Sequence, residues 1–216
     1  MGISREEHML KTTKIKIIAS LLPLCLIACG TSVKRPPVEG QVLSGSEASR
    51  VRIEVFSDLQ CPACRDLFLS TLQPLMEDYQ DDVSVVYYEF PLAMHKYARP
   101  AARYVAAAAK LGQHQVLSAY EAIFNDQTYW SSDGNLEDSV SKALFAEDFQ
   151  KITKILQDAD TLAEINETIE KELQFGKRKG VNSTPTMFIS NGGREQKVEG
   201  KIPYQALKLF LGPARK

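Results

Sequence analysis

Two cysteines with two residues between them, Cys61 and Cys64, are the residues in this sequence whose type and spacing best suit chemistry. A thiolate is the attacking species in disulfide exchange, and a second thiol three residues further along can close a small disulfide ring with the first. Such a pair can attack the disulfide of a partner and then release that partner from the mixed disulfide. The spacing therefore predicts thiol–disulfide exchange in which Cys61 attacks and Cys64 resolves.

Two other interpretations compete with a redox role for the pair. A zinc site needs four ligands, and beyond residue 28 the chain has no second Cys-x-x-Cys and only two histidines, His95 and His114, without ligand spacing. A purely structural disulfide is the second alternative. The proline inside the pair, between a predicted strand and a predicted helix, makes that alternative less expected. The sequence therefore favours a redox pair that uses no metal and no cofactor.

The segments on either side of the pair predict how it is held. Residues 51–56 alternate and are rich in β-branched side chains, which is typical of a strand, and residues 57–60 follow as a turn. After the pair, mostly apolar residues recur at helical spacing: Leu67, Phe68, Thr71, Leu72, Leu75, Met76 and Tyr79. Cys61 is then the N-cap of a helix, with Pro62 at its first position. Unpaired backbone N–H groups and the helix dipole at this end favour the thiolate and lower the pKa of Cys61 below about 8.5.

Two segments of the chain carry a family resemblance. One is Phe-Ser-Asp-Leu-Gln-Cys-Pro-Ala-Cys at residues 56–64, and the other is Gly-Val-Asn-Ser-Thr-Pro-Thr at residues 180–186. Together they resemble the DsbA/DsbC/DsbG-type thioredoxin superfamily, over about residues 50–212. The resemblance implies an α/β thioredoxin fold with an inserted helical domain. It also implies that Pro185 forms a cis peptide bond and packs against the cysteine pair, and that Thr184 pairs through its backbone with the substrate chain.

The sequence departs from this family at one position. DsbA-like oxidases often carry a buried glutamate six residues before the first cysteine, and here that residue is Val55. Glu54 is one step away and faces the opposite side of a strand, so we assign it no such role. Asp58 matches the Phe-x-Asp-x-x-Cys pattern of the DsbC/DsbG branch and is interpreted as a turn residue that caps the local backbone. His95 is interpreted as capping or packing the start of the first inserted helix, with tuning of the cysteines as the alternative.

The rest of the chain predicts an interrupted thioredoxin fold. Patterning predicts strands at residues 83–90, 186–190 and 195–199, helices within 96–178 around a loop at 129–135, and a final helix at 203–212. Residues 90–102 resemble the start of the family's helical insertion. The predicted domains are a thioredoxin-like domain at 50–95 and 179–216 and an inserted helical domain at 96–178.

The N-terminal residues read as an export signal. Basic residues precede a short apolar run at residues 17–28, which is the secretory pattern and is too short to span a bilayer comfortably. The run ends in Leu-Ile-Ala-Cys, which resembles the bacterial lipobox. That resemblance implies removal of residues 1–28 as a lipoprotein signal peptide and acylation of Cys29. An uncleaved anchor and a plain signal peptide are the alternatives for this segment. Residues 29–49 are predicted to be a flexible tether, and Cys25 leaves with the signal, so Cys61 and Cys64 are the free pair.

Composition and context define the expected function. The chain of 216 residues has 26 basic and 27 acidic side chains, so no basic excess points to nucleic acid. We expect an exported oxidoreductase that forms disulfides in exported proteins. It is expected to be lipid-anchored on the periplasmic or extracytoplasmic face of a bacterial membrane, where a membrane redox partner reoxidises it. The short tether has no room for the dimerisation domain of DsbC-like isomerases, which favours a monomer. The alternatives are a reductase for one exported client and a peptide-binding module with a structural disulfide.

The dipeptide between the cysteines bears on the direction of electron flow. Pro62 resembles the proline of the Cys-Pro-x-Cys motif in strong oxidants. Ala63 lacks the histidine side chain that would add a hydrogen-bond donor to the thiolate. We therefore expect an intermediate to oxidising potential.

Overall fold

A five-stranded mixed sheet forms the centre of the computed structural model, which describes residues 39–80 and 82–213. The strands are β1 (Gln41–Ser44), β2 (Val51–Ser57), β3 (Val83–Glu89), β4 (Thr186–Asn191) and β5 (Arg194–Glu199), in the order β1-β3-β2-β4-β5. Only β2 and β3 are parallel neighbours, and the other pairs are antiparallel.

The first strand corrects one sequence prediction. The tether predicted for residues 29–49 is wrong at residues 41–44, because these residues form β1 and pair with β3. The strand is short, and its pairing with β3 has a bulge between Val42 and Ser44. Local pattern was a weak signal here because four residues carry too little periodicity to identify a strand.

The parallel strands β2 and β3 are buried on both faces. Every residue of β3 is buried, and all but Arg52 of β2 are. Buried parallel strands are typically rich in β-branched and aromatic residues, as these are. The two faces pack against different helices, so the residues at the carboxyl ends of β2 and β3 are enclosed in protein.

A continuous helical segment follows β2 and starts at the cysteine pair. It consists of α1 (Pro62–Leu67), a π-helical turn (Phe68–Leu72) and α2 (Gln73–Tyr79). In the π-helical turn the N–H of Gln73 donates to the carbonyl oxygen of Phe68, five residues earlier. Pro74 follows and has no N–H, so an ordinary helical hydrogen bond is lost at that position, which accounts for the wider turn.

Six helices fill the chain between β3 and β4. They are α3 (Ala98–Ala109), α4 (Gln113–Asn125), α5 (Gln127–Asp133), α6 (Leu136–Ala143), α7 (Ala146–Gln157) and α8 (Ala159–Arg178). This arrangement confirms the predicted thioredoxin fold with inserted helices, whereas the domain boundaries stay predictions. The loop predicted at residues 129–135 is wrong, since most of it forms α5. That helix ends at Gly134 (φ 85°) and buries Trp130, whose ring N–H donates to Ile123 O (2.7 Å).

Each face of the sheet has its own hydrophobic cluster. The larger cluster joins Val55 and Tyr87 to the cysteines, α1, α3 and α4. The smaller one stacks Phe56 on Tyr88 (ring centroids 4.8 Å apart) and adds Phe175 of α8. After β5 the chain ends its described part in α9 (Tyr204–Leu211), close to the predicted final helix. Within residues 39–80 and 82–213, no helix has the length and apolar character needed to cross a membrane.

Candidate active site

Cys61 begins the helix that follows β2. Its backbone is extended (φ −78°, ψ 121°), Pro62 occupies the first helical turn, and the Cys61 carbonyl accepts from the N–H groups of Cys64 and Arg65, both at 3.1 Å. The predicted N-cap position is therefore confirmed. Because the first N–H groups of a helix have no partner within it, they leave a positive end beside the Cys61 sulfur.

The two thiols differ in exposure and in acidity. Cys61 is 8% exposed, and Cys64 is fully buried. A hydrogen bond from the Cys64 thiol is the main factor that lowers the pKa of Cys61 to about 5, helped by backbone N–H groups of Cys64 and Ala63. Burial raises the pKa of Cys64 well above its usual value. At neutral pH the pair therefore holds a thiolate on the accessible sulfur and a proton on the buried one.

The segment before β4 lies against Cys61 even though it is more than 120 residues away in sequence. The Thr184–Pro185 peptide bond is cis, as predicted, and the Cys61 thiol donates to the carbonyl oxygen of Thr184 (3.6 Å). Antiparallel pairing of β2 with β4 sets Phe56 opposite Thr186. Because the cis bond directly precedes Thr186, this pairing places it near the start of α1. Pro185 is itself buried.

The Thr184 hydroxyl is available to the thiolate. Its oxygen is buried and has no hydrogen-bond partner among the described residues, and it helps to lower the pKa of Cys61. A thiolate cannot donate to the Thr184 carbonyl, but it can accept from this hydroxyl.

Replacing Thr184 by valine is expected to weaken the thiolate of Cys61. Thr184→Val keeps the branched shape and removes the O–H donor, so the pKa of Cys61 should rise by about one, the worth of one hydrogen bond to a charged group. Thiolate absorbance followed against pH in the reduced protein measures the change. Ser183→Ala, in the exposed neighbouring side chain, serves as the control and should leave the pKa where it is. An unchanged pKa in Thr184→Val would show that the hydroxyl does not contact the thiolate.

Asp58 organises the turn between β2 and α1. Its side chain is fully buried and accepts from Gln60 N, Leu92 N and His95 Nδ1, at 2.7 to 2.8 Å. Its own N–H donates to the Cys64 sulfur (3.4 Å). The interpretation of Asp58 as a capping turn residue is confirmed. His95 both joins this cluster and, through its carbonyl, accepts from Ala98 N at the start of α3 (3.2 Å).

Two glutamines that the sequence did not single out tie the site to the inserted helices. Gln127 is buried at the start of α5, and its amide donates to the carbonyl oxygens of Leu59 (2.7 Å) and Cys61 (3.1 Å). Gln60 donates to Ser131 O and accepts from Tyr97 N. No motif marks these residues, because their role depends on contacts distant in sequence.

Some predicted site residues are placed by the structure and one is not described. Pro62 and Ala63 lie in the first turn of α1, and Ala63 packs partly buried against the larger cluster. Cys29, the signal peptide and most of the tether lie outside the described residues.

The chain is similar to known proteins in both sequence and fold. The thioredoxin family model matches residues 38–211. No curated protein sequence matches the chain significantly. Among solved structures, Pseudomonas aeruginosa DsbA2 is 28% identical with a TM-score of 0.62, covering 81% of this chain and 93% of that one.

Two further structures share the fold at lower identity. The thiol-disulfide exchange protein alpha-DsbA2 of Wolbachia pipientis is 20% identical, with a TM-score of 0.64 and coverage of 78% of this chain and 83% of that one. The catalytic domain of Proteus mirabilis ScsC is 19% identical, with a TM-score of 0.64 and coverage of 82% and 90%. The chain belongs to the thioredoxin family, and it is a thiol–disulfide oxidoreductase with a DsbA-like fold.

Proposed function

We propose that this protein is a disulfide oxidase that forms disulfides in exported proteins through Cys61 and Cys64. The acidity of Cys61 supports this direction of electron flow, because the site lowers the pKa of its thiol to about 5 and the reduced pair therefore holds a thiolate at neutral pH. Stabilising this thiolate favours the reduced pair, and a pair with a stabilised reduced form is a strong oxidant of other thiols.

The exposure of the two sulfurs supports the proposed order of steps. A client thiolate attacks the Cys61 sulfur of the oxidised pair, because Cys61 is the accessible cysteine and Cys64 is enclosed. Cys64 leaves as the thiolate, and a mixed disulfide joins Cys61 to the client. A second client thiolate then attacks the client sulfur, which completes the client disulfide and releases Cys61 as a thiolate.

The neighbouring residues have proposed supporting roles. The carbonyl of Thr184 lies beside the Cys61 sulfur, where an extended client chain can pair with the backbone. Pro185 holds that carbonyl in place, and Pro62 and Ala63 shape the first turn that stabilises the thiolate.

Export and anchoring are proposed from the N-terminal residues. The basic and apolar run followed by Leu-Ile-Ala-Cys supports removal of residues 1–28 and acylation of Cys29 on the outer face of a bacterial membrane. The protein acts as a monomer on folding client proteins that contain cysteines, and a membrane redox partner reoxidises its cysteine pair.

Equilibration with glutathione tests the oxidase. We expect a reduction potential well above the value of about −270 mV found for thioredoxin, between that value and the value of about −120 mV found for DsbA. The oxidised fraction is measured in buffers of reduced and oxidised glutathione by trapping free thiols. Cys64→Ser, which cannot form the internal disulfide, is the control. A potential near that of thioredoxin would contradict the oxidase and favour a reductase.

A further inference from the structure

A buried carboxyl group at the end of β3 lies on the same face of the sheet as the cysteine pair. Glu89 follows Tyr87 by two residues, so both side chains point to one face, where Tyr87 meets the rings of Phe68 and Tyr120. Glu89 is 3% exposed, and the Tyr120 hydroxyl donates to its carboxyl oxygen (2.5 Å). The steps proposed above do not use this group.

Two buried hydroxyls on the same face of the sheet as Glu89 have no hydrogen-bond partner among the described residues. They belong to Ser57 and Tyr87, and both side chains are buried. The register of β2 and β3 sets Ser57 directly beside Glu89. The Ser57 hydroxyl is close enough to lower the pKa of both Cys64 and Tyr87, while charges on Cys64 and Glu89 raise that of Tyr87. Buried hydroxyls without partners cost stability, which suggests a use for them.

We propose that Glu89 exchanges a proton with the Cys64 sulfur through the Ser57 and Tyr87 hydroxyls during disulfide exchange at Cys61. When a client thiolate attacks Cys61, the Cys61–Cys64 bond breaks and its electron pair stays on Cys64. The proton that neutralises this thiolate comes from the Glu89 carboxylic acid, which becomes a carboxylate. In the reverse direction the carboxylate takes the proton from the Cys64 thiol. The resulting Cys64 thiolate attacks the Cys61 sulfur of the mixed disulfide, and the client leaves as a thiolate. Glu89 reaches the sulfur only through other groups, so it is a proton carrier.

The acidity of Glu89 suits this exchange. Burial is the main factor that raises its pKa to about 8, the charge of Asp58 adds to the rise, and the Tyr120 hydroxyl reduces it. A group that titrates near the working pH can both give and take a proton efficiently. At pH 7 Glu89 is mostly protonated and ready to supply the departing Cys64 thiolate.

The groups that face Glu89 come from every element around it. They are Tyr87 on β3, Asp58 after β2, Tyr120 on α4 and Glu172 on α8, and the Asp58 partner His95 lies between β3 and α3. Glu172 accepts from the Glu89 N–H (2.6 Å). Burial and the charge of Glu89 raise the pKa of Glu172 well above its usual value. Glu172 binds the backbone of Glu89, whereas the hydroxyl path to Cys64 begins at the Glu89 side chain.

The other acids near the pair are less suited to this role. Glu54 faces the opposite side of β2 and is held by Lys179 (2.6 Å) and Arg52 (3.1 Å). Asp58 is occupied by three donors. Position 55, where the family resemblance leads one to look for an acid, is valine. The carboxyl group therefore comes from the neighbouring strand.

The pH dependence of a single reduction step tests this inference, which rests on the proposed redox function. Oxidised protein is mixed with glutathione, and the rate of reduction, divided by the glutathione thiolate concentration, is followed from pH 6 to pH 10 by alkylation and mass. In the wild type this rate should be constant below about pH 8 and fall above it as Glu89 ionises. We call this change of slope near pH 8 the break. Glu89→Gln should remove the break, and its reduction rate at pH 7 should be at least about tenfold lower than that of the wild type.

Conservative and matched variants separate proton exchange from a structural role. Glu89→Asp should restore the break, and Glu172→Gln, which removes the other buried carboxyl, should keep it. If Glu89→Gln does not fold, Ser57→Ala interrupts the path and should slow the reaction below the break.

Three outcomes decide between the two proposals. A wild-type profile in a folded Glu89→Gln or Ser57→Ala protein would overturn the role of Glu89 while leaving the redox function intact. A break that is lost equally in Glu172→Gln would also overturn it. If the wild-type pair does not react with glutathione at all, the redox function fails first and the proton exchange fails with it.

Discussion

Reduced protein is expected to lose about 2–3 kcal/mol of its free energy of unfolding between pH 7 and pH 5, relative to oxidised protein. The cause is the Cys61 thiol, whose pKa falls from 9.0 to about 5 in the folded state. A group whose pKa is lowered by folding stabilises the protein fully above its unfolded pKa. That stabilisation is lost as the pH falls towards the folded pKa. Oxidised protein has no thiol at this position and should lack the effect.

Urea unfolding of both redox forms at several pH values measures this difference. Cys64 does not interfere below pH 9, because its pKa is raised by folding and its contribution appears only at higher pH. Reduced Cys61→Ser should follow the pH dependence of the oxidised wild type. If the difference between the reduced and oxidised wild type stays constant from pH 7 to pH 5, the thiolate does not stabilise the folded protein.

The same free energy bears on the oxidase proposal. At pH 7 the thiolate adds about 2.7 kcal/mol to the free energy of unfolding of the reduced protein. This stabilisation of the reduced form raises the reduction potential of the two-electron couple by roughly 60 mV. The gap between thioredoxin and DsbA is about 150 mV. The Cys61 thiolate can therefore account for a substantial part of an oxidising potential, consistent with an intermediate to oxidising pair even though Ala63 adds no donor.

The parts of the site that the sequence could predict are local or carried by motifs. The strand, the turn and the helix start around Cys61 follow from alternation, apolar spacing and the proline at the first helical position. The cis bond at Pro185 and its place beside Cys61 follow from the family resemblance alone. Only the pairing of β4 with β2 shows how the chain brings the two together.

The parts that the sequence could not predict depend on contacts across the fold. Gln127 reaches the carbonyl of Cys61 only because α5 packs there, and the sequence pattern predicts a loop for most of α5. Glu89 is an ordinary polar residue at the end of a predicted strand, and its burial becomes visible only when α4 and α8 cover it. The position at which the family resemblance implies an acid lies on β2 and is Val55, whereas parallel pairing places Glu89 of β3 beside Ser57.

Oxidised protein, in which the Cys61 effect is absent, is expected to become less stable by about 2 kcal/mol between pH 6 and pH 8 because of Glu89. Burial raises the pKa of this carboxyl from 4.5 to about 8. The unfolded chain therefore releases the proton at lower pH than the folded protein does. Since the folded state binds more protons between these two values, raising the pH through this range favours unfolding. Glu172, whose pKa is also raised by burial, adds to the loss.

Glu89→Gln isolates this contribution. The amide keeps the size of the side chain and an oxygen for the Tyr120 hydroxyl but cannot ionise, so the dependence on pH between 6 and 8 should be reduced to the share from Glu172. Urea unfolding of the oxidised wild type and variant provides the comparison, and Glu89→Asp should retain the wild-type trend. A variant with the full wild-type slope would show that Glu89 is ionised in the folded protein, which would also remove the acid proposed to protonate Cys64.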